Sequence, residues 1–246
     1  MARFFVPKKN LRDKQGVIDG QELAHLRRVL RLAPGDRITV FDDSGWEHEA
    51  VIRNLTADRG EIEIIRSYEA GRESGLRITL ALGLVKGEKL DFVVEKATEL
   101  GVQMMAPFTS AFSVPKWDAR KIEARTSRWR KIALSASKQC GRTRVPEILP
   151  LREFRALVED ASAETLKLLF WENERHQSLR QTQEKFSRPE SVLVVIGPEG
   201  GFSEQEAELA KSHDFQLVGL GQRILRAETA AVTALGLVQF LWGDLQ

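Results

Sequence analysis

The chain has 246 residues, of which 42% are hydrophobic and 29% are charged, and its formal net charge is only +2. This composition is typical of a water-soluble globular protein that is long enough for one large domain or two. The single cysteine, Cys140, excludes an internal disulfide, and no apolar run is long enough to span a membrane. Residues Met1–Pro7 lack the apolar core of a signal peptide, so we expect a cytoplasmic protein.

The first 72 residues are predicted to be mostly β-structure. Short runs of alternating apolar and polar residues are bounded by turn residues such as Asp42–Gly45. The strands are expected at 35–42, 49–53 and 60–65. Strands of this length and spacing predict a small β-barrel.

One helix is expected to interrupt these strands, between residues 22 and 30. Leu23, Leu26 and Leu30 recur at helical spacing and predict its apolar face. The residues expected on or near its polar side are His25, Arg28 and Arg31. Residues 1–75 contain thirteen basic and thirteen acidic side chains, so the composition of this region does not by itself indicate a nucleic-acid surface.

A polar, glycine-containing segment at 70–75 is expected to link this region to a second one. From there the pattern alternates between strands and helices. The strands are expected at 76–85 and near 103–109, 165–171, 191–196 and 216–220, and the helices at 87–100 and near 117–139, 151–160, 203–213 and 228–241. This alternation predicts an α/β fold with a mainly parallel sheet covered by helices. Because chains rarely thread their own loops, the pattern alone favours an unknotted sheet.

Positive charge is concentrated in one segment. Between Lys116 and Arg144 there are ten basic and two acidic residues, a net charge of +8, which leaves −6 for the rest of the chain. Such an excess indicates a surface for a polyanion, although a solvated helix face is the alternative for a charge run. The candidate RNA contacts on this segment are Arg128, Lys131, Lys138 and Arg142.

Gly141 is expected to end the basic helix, so that Arg142 projects from the turn. In that position Arg142 either contacts RNA or acts as a cation that favours the helix C-terminus. Cys140 is expected to pack as a small hydrophobic residue rather than to act as a nucleophile. On the helix at 87–100, Lys89 belongs to a solvated face or contacts RNA, and the sequence does not decide between the two.

The same pattern of strand, glycine-bearing turn and helix is predicted twice near the end of the chain. The apolar run Val192–Ile196 precedes the turn Gly197–Gly201, and Ser203-Glu204-Gln205-Glu206 has the capping-box pattern that starts a helix. The second copy runs from Gln216 through Gly221 to Thr229 and into a second helix. A strand, a glycine-bearing turn and a helix form the ligand crevice of open α/β sheets, so two such turns, expected at the ends of adjacent strands, indicate one shared pocket. A side chain at Gly200 is expected to force a left-handed residue.

Other ligand motifs are absent from the sequence. There is no phosphate loop of the Gly-x-x-x-x-Gly-Lys-Ser/Thr type, and the dinucleotide-like Gly219-Leu220-Gly221 continues to Ile224, where the third glycine would be required. The four histidines are scattered and Cys140 is alone, so we expect no metal. A ligand without phosphates, held by the backbone of two loops, fits the pattern better.

The two motifs, Ile196-Gly197-Pro198-Glu199-Gly200-Gly201 and Leu220-Gly221-Gln222-Arg223-Ile224-Leu225-Arg226-Ala227-Glu228-Thr229-Ala230, resemble those of the RsmE family. The resemblance extends over His25–Asp36, Gly87–Val102 and Gln139–Pro146. Members of this family are 16S rRNA uridine-N3 methyltransferases of the SPOUT class that use S-adenosylmethionine. The resemblance therefore implies methylation of N3 of a uridine, U1498 at the family's site, in the assembled small ribosomal subunit.

The resemblance also implies an architecture. A PUA-like RNA-binding β-barrel would occupy residues 1–72, and a SPOUT domain with a deep trefoil knot would occupy 73–246. The protein would be a homodimer without a metal. The cofactor would lie against residues of the two motifs, namely Ile196, Gly197, Glu199, Gly200, Gly201, Leu220, Gly221, Ile224, Leu225 and Thr229.

Arg226 and Glu228 are the candidate catalytic residues. An acidic residue is favoured at a helix N-terminus, which explains Glu228 without function, but a cation such as Arg226 is disfavoured there. A residue placed against its local preference indicates a functional role. We expect Arg226 to stabilise the uracil anion or to hold the phosphate of the target nucleotide, and Glu228 to orient Arg226. An RNA-binding assembly factor without activity, or a SPOUT enzyme that methylates ribose or another base, remains an alternative.

Overall fold

The computed structural model describes residues 1–114, 116–161 and 165–245. The chain separates into two compact units, one made of Met1–Glu73 with Ser137–Val145 and the other of Ser74–Ala136 with Pro146–Gln246. The predicted domain boundary between residues 72 and 73 differs from this division in two respects, the first being that Glu73 belongs to the N-terminal unit. Residues Ser137–Val145, which include the end of the basic helix, belong with the N-terminal unit.

The N-terminal unit is built on a mixed sheet that has six strands in the described part of the chain. Its strands are β1 (Arg3–Phe5), β2 (Leu11–Arg12), β3 (Gln15–Ile18), β4 (Arg37–Phe41), β5 (Trp46–Leu55) and β6 (Gly60–Glu69). They are ordered β1-β4-β5-β6-β3-β2, with only β1 and β4 parallel among these pairs of described strands. Alternation places Ile38 and Val40 of β4 in a core with Phe4, Ile52 and Ile62. The predicted strands match β4, β5 and β6, whereas the three short strands were not predicted.

The predicted helix at 22–30 is present in a modified form. It consists of α1 (Gly20–Ala24) followed by a π-helical turn (His25–Val29). Leu23 and Leu26 are buried as expected, but Leu30 is 40% exposed, so its assignment to the apolar face was wrong. The amide of Leu30 bonds to the carbonyl of His25, five residues back, and this wider turn rotates Leu30 away from the core.

The C-terminal unit is built on a parallel sheet of seven strands, counted over the described residues. They are β7 (Arg77–Gly83), β8 (Met104–Thr109), β9 (Glu147–Ile148), β10 (Arg152–Glu153), β11 (Leu166–Phe170), β12 (Ser191–Ile196) and β13 (Gln216–Val218). The order is β10-β8-β7-β12-β11-β13, with β9 beside β8. Every residue of β12 is buried, as expected for the apolar run in a sheet covered on both faces. The prediction of an α/β fold with a mainly parallel sheet is confirmed.

Six helices are described in this half of the chain. They are α2 (Lys89–Glu99), α3 (Ala119–Cys140), α4 (Phe154–Glu159), α5 (Leu179–Lys185), α6 (Glu204–Ser212) and α7 (Ala227–Trp242). Helix α7 packs against α2 and β12, and α4 packs against α6. Helix α5 was not predicted, and the helix expected from residue 151 begins only at Phe154 because Arg152 and Glu153 pair with β8. Among the helices described, none is both long and apolar enough to cross a membrane.

Candidate cofactor and substrate site

The two glycine turns lie at the same edge of the parallel sheet. Parallel strands present their carboxyl ends at one edge, where ligands bind in open α/β folds. The strands that lead into the turns, β12 and β13, are not adjacent as predicted. Strand β11 lies between them, and its last residue, Phe170, pairs with Ile196 on one side and with Val218 on the other. The loop after β11 therefore lies between the two predicted motifs.

The first turn depends on glycine at two positions for different reasons. Gly201 has φ +69, and a Cβ at this position would overlap the carboxylate of Glu172. Gly200 is not left-handed, contrary to the expectation; instead, a Cβ there would lie 2.7 Å from Cβ of Phe112. The turn closes with a 2.9 Å hydrogen bond from the amide of Gly201 to the carbonyl of Pro198. Glycine is required at position 201 because the backbone is left-handed, and at position 200 because a neighbouring side chain lies close to the backbone.

The helix after the first turn starts as the sequence predicts. The hydroxyl of Ser203 accepts a hydrogen bond from the amide of Glu206, and the Glu206 carboxylate accepts one from the amide of Ser203. This reciprocal capping box satisfies amides that would otherwise lack partners in the first turn of α6. The same carboxylate also accepts a 2.8 Å hydrogen bond from the amide of Ala111, which fixes the loop after β8 beside the turn.

The second turn is more exposed than the first. Gly221 has φ +93 with no atom close to the position of a Cβ, and Ile224 is 84% exposed. Leu220 and Leu225 are partly buried, whereas Thr229, in the first turn of α7, is exposed. The base of the turn is anchored by the loop after β11, since the amide of Gly219 donates to the carbonyl of Gln177.

A charged cluster connects the two turns. The ammonium of Lys89 donates a 2.9 Å hydrogen bond to Oε1 of Glu199, and the same oxygen accepts from the amide of Lys86 at 3.1 Å. Burial acts to raise the pKa of Glu199, but the hydrogen bonds from Lys89 and from the Lys86 amide outweigh it and hold the pKa below its ordinary value. Nζ of Lys89 also lies 3.9 Å from Oε2 of Glu228. This Oε2 is buried and has no hydrogen-bond partner among the described residues.

Arg226 occupies the N-cap position of α7 and is exposed. Within residues 1–114, 116–161 and 165–245, its side chain makes no hydrogen bond or ion pair. The expected contact between Glu228 and Arg226 is not present, because Glu228 faces Lys89 instead. The guanidinium of Arg226, beside the second turn, therefore has no partner among the described residues.

Some basic residues of α3 are exposed to solvent, and others form ion pairs with acidic side chains. Lys131 is exposed. Arg128 is also partly exposed, but its Nε donates to Asp91 at 2.6 Å and a terminal nitrogen lies 3.3 Å from Glu88. Part of the positive charge on this helix is therefore balanced by α2.

The basic residues at the end of this segment form ion pairs within the N-terminal unit. Lys138 donates to both carboxylate oxygens of Glu22 at 2.9 Å. Arg142 does not project from the turn as predicted: it is only 3% exposed and pairs with Glu73 at 2.8 Å. Gly141, with φ +87, ends α3 as expected.

Glu73 is the centre of this arrangement. Besides Arg142, its carboxylate accepts hydrogen bonds from the amides of Thr143 and Arg144. Burial acts to raise the pKa of Glu73, but these donors outweigh it and lower the pKa below its ordinary value. We therefore assign a structural role to the pair of Glu73 and Arg142.

The remaining candidates lie on the π-helical turn of the N-terminal unit. His25 is half-buried, with its ring 5.9 Å from that of Phe4. Arg28 and Arg31 are exposed, and Arg31 has φ +53 at the end of the helix. In the described part of the chain, no group of three or more His, Cys, Asp or Glu side chains could hold a metal ion.

Sequence comparisons assign both halves of the chain. The profile of an RNA methyltransferase domain matches residues 72–239, and that of an RNA methyltransferase PUA domain matches residues 18–65. The ribosomal RNA small subunit methyltransferase E of Bacillus subtilis is 32% identical over 227 residues, which cover 91% of this chain and 89% of that protein.

The chain belongs to the ribosomal RNA small subunit methyltransferase E (RsmE) family.

Solved structures agree with this assignment. The RsmE protein of Neisseria gonorrhoeae, crystallised with bound S-adenosylmethionine, is 35% identical, covers 100% of both chains and superposes with a TM-score of 0.90. A Legionella pneumophila protein in complex with the same cofactor is 33% identical, with 99% coverage of both chains and a TM-score of 0.91. The RsmE resemblance read from the two glycine motifs is confirmed. The loops after β7, β8 and β11 carry no such motif, so sequence reasoning did not place Phe112 or Glu172 beside the turns.

Proposed function

We propose that this protein transfers a methyl group from S-adenosylmethionine to N3 of a uridine in 16S rRNA, at the family's site U1498, within the small ribosomal subunit. The observation that carries this proposal is the position of both RsmE motifs at one edge of the parallel sheet, with a left-handed glycine in each turn. The similarity to RsmE proteins over nearly the whole chain supports the substrate class.

The residues at this edge fit the proposed cofactor. Gly197, Gly200 and Gly201 let the first turn pack closely against its neighbours, and Leu220 and Leu225 supply apolar surface. Apolar walls and a few backbone donors are the usual surroundings of an adenosine moiety. We include Ile196, Glu199, Gly221, Ile224 and Thr229 in the same site. When bound, the sulfonium supplies an activated methyl group that needs no metal.

The chemical difficulty is the substrate nitrogen. N3 of uracil carries a proton and becomes a nucleophile only when that proton leaves, so a base or a cation that stabilises the anion is needed. Arg226 suits the second role, because its guanidinium is exposed, unpaired among the described residues, and next to the second turn. Its planar fork can donate two hydrogen bonds to a uracil oxygen or to a phosphate.

The RNA surface is proposed from exposed basic side chains. We include Lys131 and Arg128 of α3, and His25, Arg28 and Arg31 of the N-terminal unit. The latter lie in or beside the region that matches the PUA profile, residues 18–65. We leave out Lys138 and Arg142, because their side chains are held by Glu22 and Glu73.

The finer architecture is also a proposal. We infer a PUA-like barrel over residues 1–72 and a trefoil-knotted SPOUT domain over 73–246. Helix α7 supports the knot, because it follows the edge strand β13 yet packs on β12 and α2. Exposed Leu237 and Phe240 on α7 support a homodimer formed through this helix. We also propose a cytoplasmic location, because ribosomal RNA is the proposed substrate.

The test is mass spectrometry of 16S rRNA from a strain that lacks the gene. Loss of one N3-methyluridine, restored by the wild-type gene and not by the Arg226→Ala variant, is the expected result. Loss of a ribose methyl group or of another methylated base would assign a different reaction. An unchanged set of modifications, with a defect in subunit assembly, would instead indicate an RNA-binding assembly factor.

A further inference from the structure

Lys89 lies between acidic groups that belong to the two cofactor loops. Glu199 is part of the first glycine turn, and Glu228 is in the first turn of the helix after the second. Nζ of Lys89 is 2.9 Å from Oε1 of Glu199 and 3.9 Å from Oε2 of Glu228. Lys89 itself starts α2, so one ammonium joins three separate segments of the sheet edge.

The Lys89 ammonium compensates the negative charge of the two carboxylates beside it. Oε2 of Glu228 is buried without a hydrogen-bond partner among the described residues, and an uncompensated buried carboxylate oxygen is costly. Among the described residues, the basic group within ion-pair distance of it is the Lys89 ammonium. Without Lys89, two carboxylates would face each other across the turns with no opposite charge between them, and like charges this close repel. One of the loops would have to move.

The same geometry argues against RNA as the partner of Lys89. The Lys89 side chain is only 33% exposed, and its ammonium already donates to Glu199. A phosphate group would have to approach through the field of two carboxylates, which is unfavourable. Lys131, which is exposed and makes no ion pair with any described residue, is better placed for that role.

We propose that Lys89 is a positioning residue that holds the two cofactor loops at a fixed separation by bridging Glu199 and Glu228. The inference rests on the proposed function, because it assigns the cofactor to these loops. It changes the expected role of Lys89 from an RNA contact to a support of the cofactor site, and that of Glu228 from a partner of Arg226 to a partner of Lys89.

The test measures S-adenosylmethionine binding by isothermal titration calorimetry, without RNA or turnover. Lys89→Met keeps the length of the side chain and removes its charge, and should raise Kd at least about tenfold, equivalent to about 1.4 kcal/mol. Lys89→Arg should recover most of the affinity. The matched control is Lys96→Met on the same helix. Among the described residues Lys96 pairs only with neighbouring Glu95 and Glu99, so its loss should leave Kd unchanged.

Two further measurements identify the mechanism. In a double-mutant cycle, the losses of cofactor-binding free energy caused by Lys89→Met and Glu199→Gln should be non-additive, because both substitutions remove the same ion pair. The slope of log RNA affinity against log salt should stay at the wild-type value for Lys89→Met. If that slope instead falls by about 0.7–0.9 while Kd for the cofactor is unchanged, Lys89 is an RNA contact and the inference is overturned.

The outcomes separate this inference from the proposed function. If the wild-type protein shows no cofactor binding, the proposed function fails before any variant is measured. Wild-type binding together with unchanged Kd in Lys89→Met overturns only the bridge. If circular dichroism shows that Lys89→Met is unfolded, Lys89→Gln, which is polar but carries no charge, is judged by the same tenfold criterion.

Discussion

Replacing Gly201 with alanine provides a direct test of the first turn. Gly201 has φ +69, where a residue with a Cβ costs about 1–2 kcal/mol. The added Cβ would also overlap the Glu172 carboxylate, with Cδ of that side chain at 2.6 Å. Because Glu172 is exposed, its side chain can rotate away, so backbone strain should be the main part of the loss. A loss of about 1 kcal/mol in unfolding free energy lowers the melting temperature of a protein of this size by about 2–4 °C. We therefore expect the melting temperature of Gly201→Ala to be roughly 2–8 °C lower than that of the wild type.

Two variants separate strain from overlap. Gly221→Ala adds a Cβ at φ +93 with no atom nearby, so it should show the strain alone. Gly201→Ala in a Glu172→Ala background should recover the part of the loss that comes from overlap. Calorimetric titration with S-adenosylmethionine on the same proteins measures whether the distorted turn also weakens cofactor binding.

The result that would refute this reasoning is specific. A Gly201→Ala protein with the melting temperature and cofactor affinity of the wild type would mean that the turn is neither strained nor part of the site. If Gly201→Ala lowers the melting temperature equally in the wild-type and Glu172→Ala backgrounds, the whole effect comes from backbone strain. Full recovery in the Glu172→Ala background would instead assign it to overlap.

Four other substitutions have defined expectations. Lys131→Ala should reduce the slope of log RNA affinity against log salt by about 0.7–0.9, whereas Lys138→Ala should leave the slope unchanged and lower the melting temperature. Arg226→Lys should keep cofactor affinity and lose most single-turnover activity on the small subunit, because the charge remains without the planar fork. The folded-state pKa of Glu73 is lowered, so its stabilisation is present at neutral pH and is lost as the pH falls through that pKa. Chemical denaturation should therefore show the wild type more stable than Glu73→Gln at pH 7, with the difference shrinking below about pH 4.3.

Much of the fold could be read from local patterns. The buried strand β12, the capping box at Ser203 and the glycine that ends α3 depend on residues a few positions apart, and these predictions agree with the structure. Strands of two residues, such as β9 and β10, are too short for alternation to be visible. The π-helical turn at His25–Val29 inserts extra residues into a helical period, which no count of apolar positions at regular spacing detects.

The site could be located from sequence, but its contacts could not. The motifs identified the two turns, whereas the place of β11 between them follows from strand order, which periodicity does not contain. Arg142 was expected to project from the turn because it follows the helix-ending Gly141 in a segment rich in basic residues. It is buried because Glu73, 69 residues earlier, supplies the opposite charge. The individual site residues remain predictions until they are tested.

The charge balance at the sheet edge gives the final argument for Arg226. Lys89, Glu199 and Glu228 form one connected group, in which a single ammonium faces two carboxylates and leaves a net negative charge. A uracil anion would be repelled by that group alone. Arg226 lies two residues before Glu228, at a helix N-terminus where the dipole is also positive, and its guanidinium has no carboxylate partner among the described residues. We therefore propose Arg226 as a cation that stabilises negative charge on the substrate, while Lys89 is assigned to the loops.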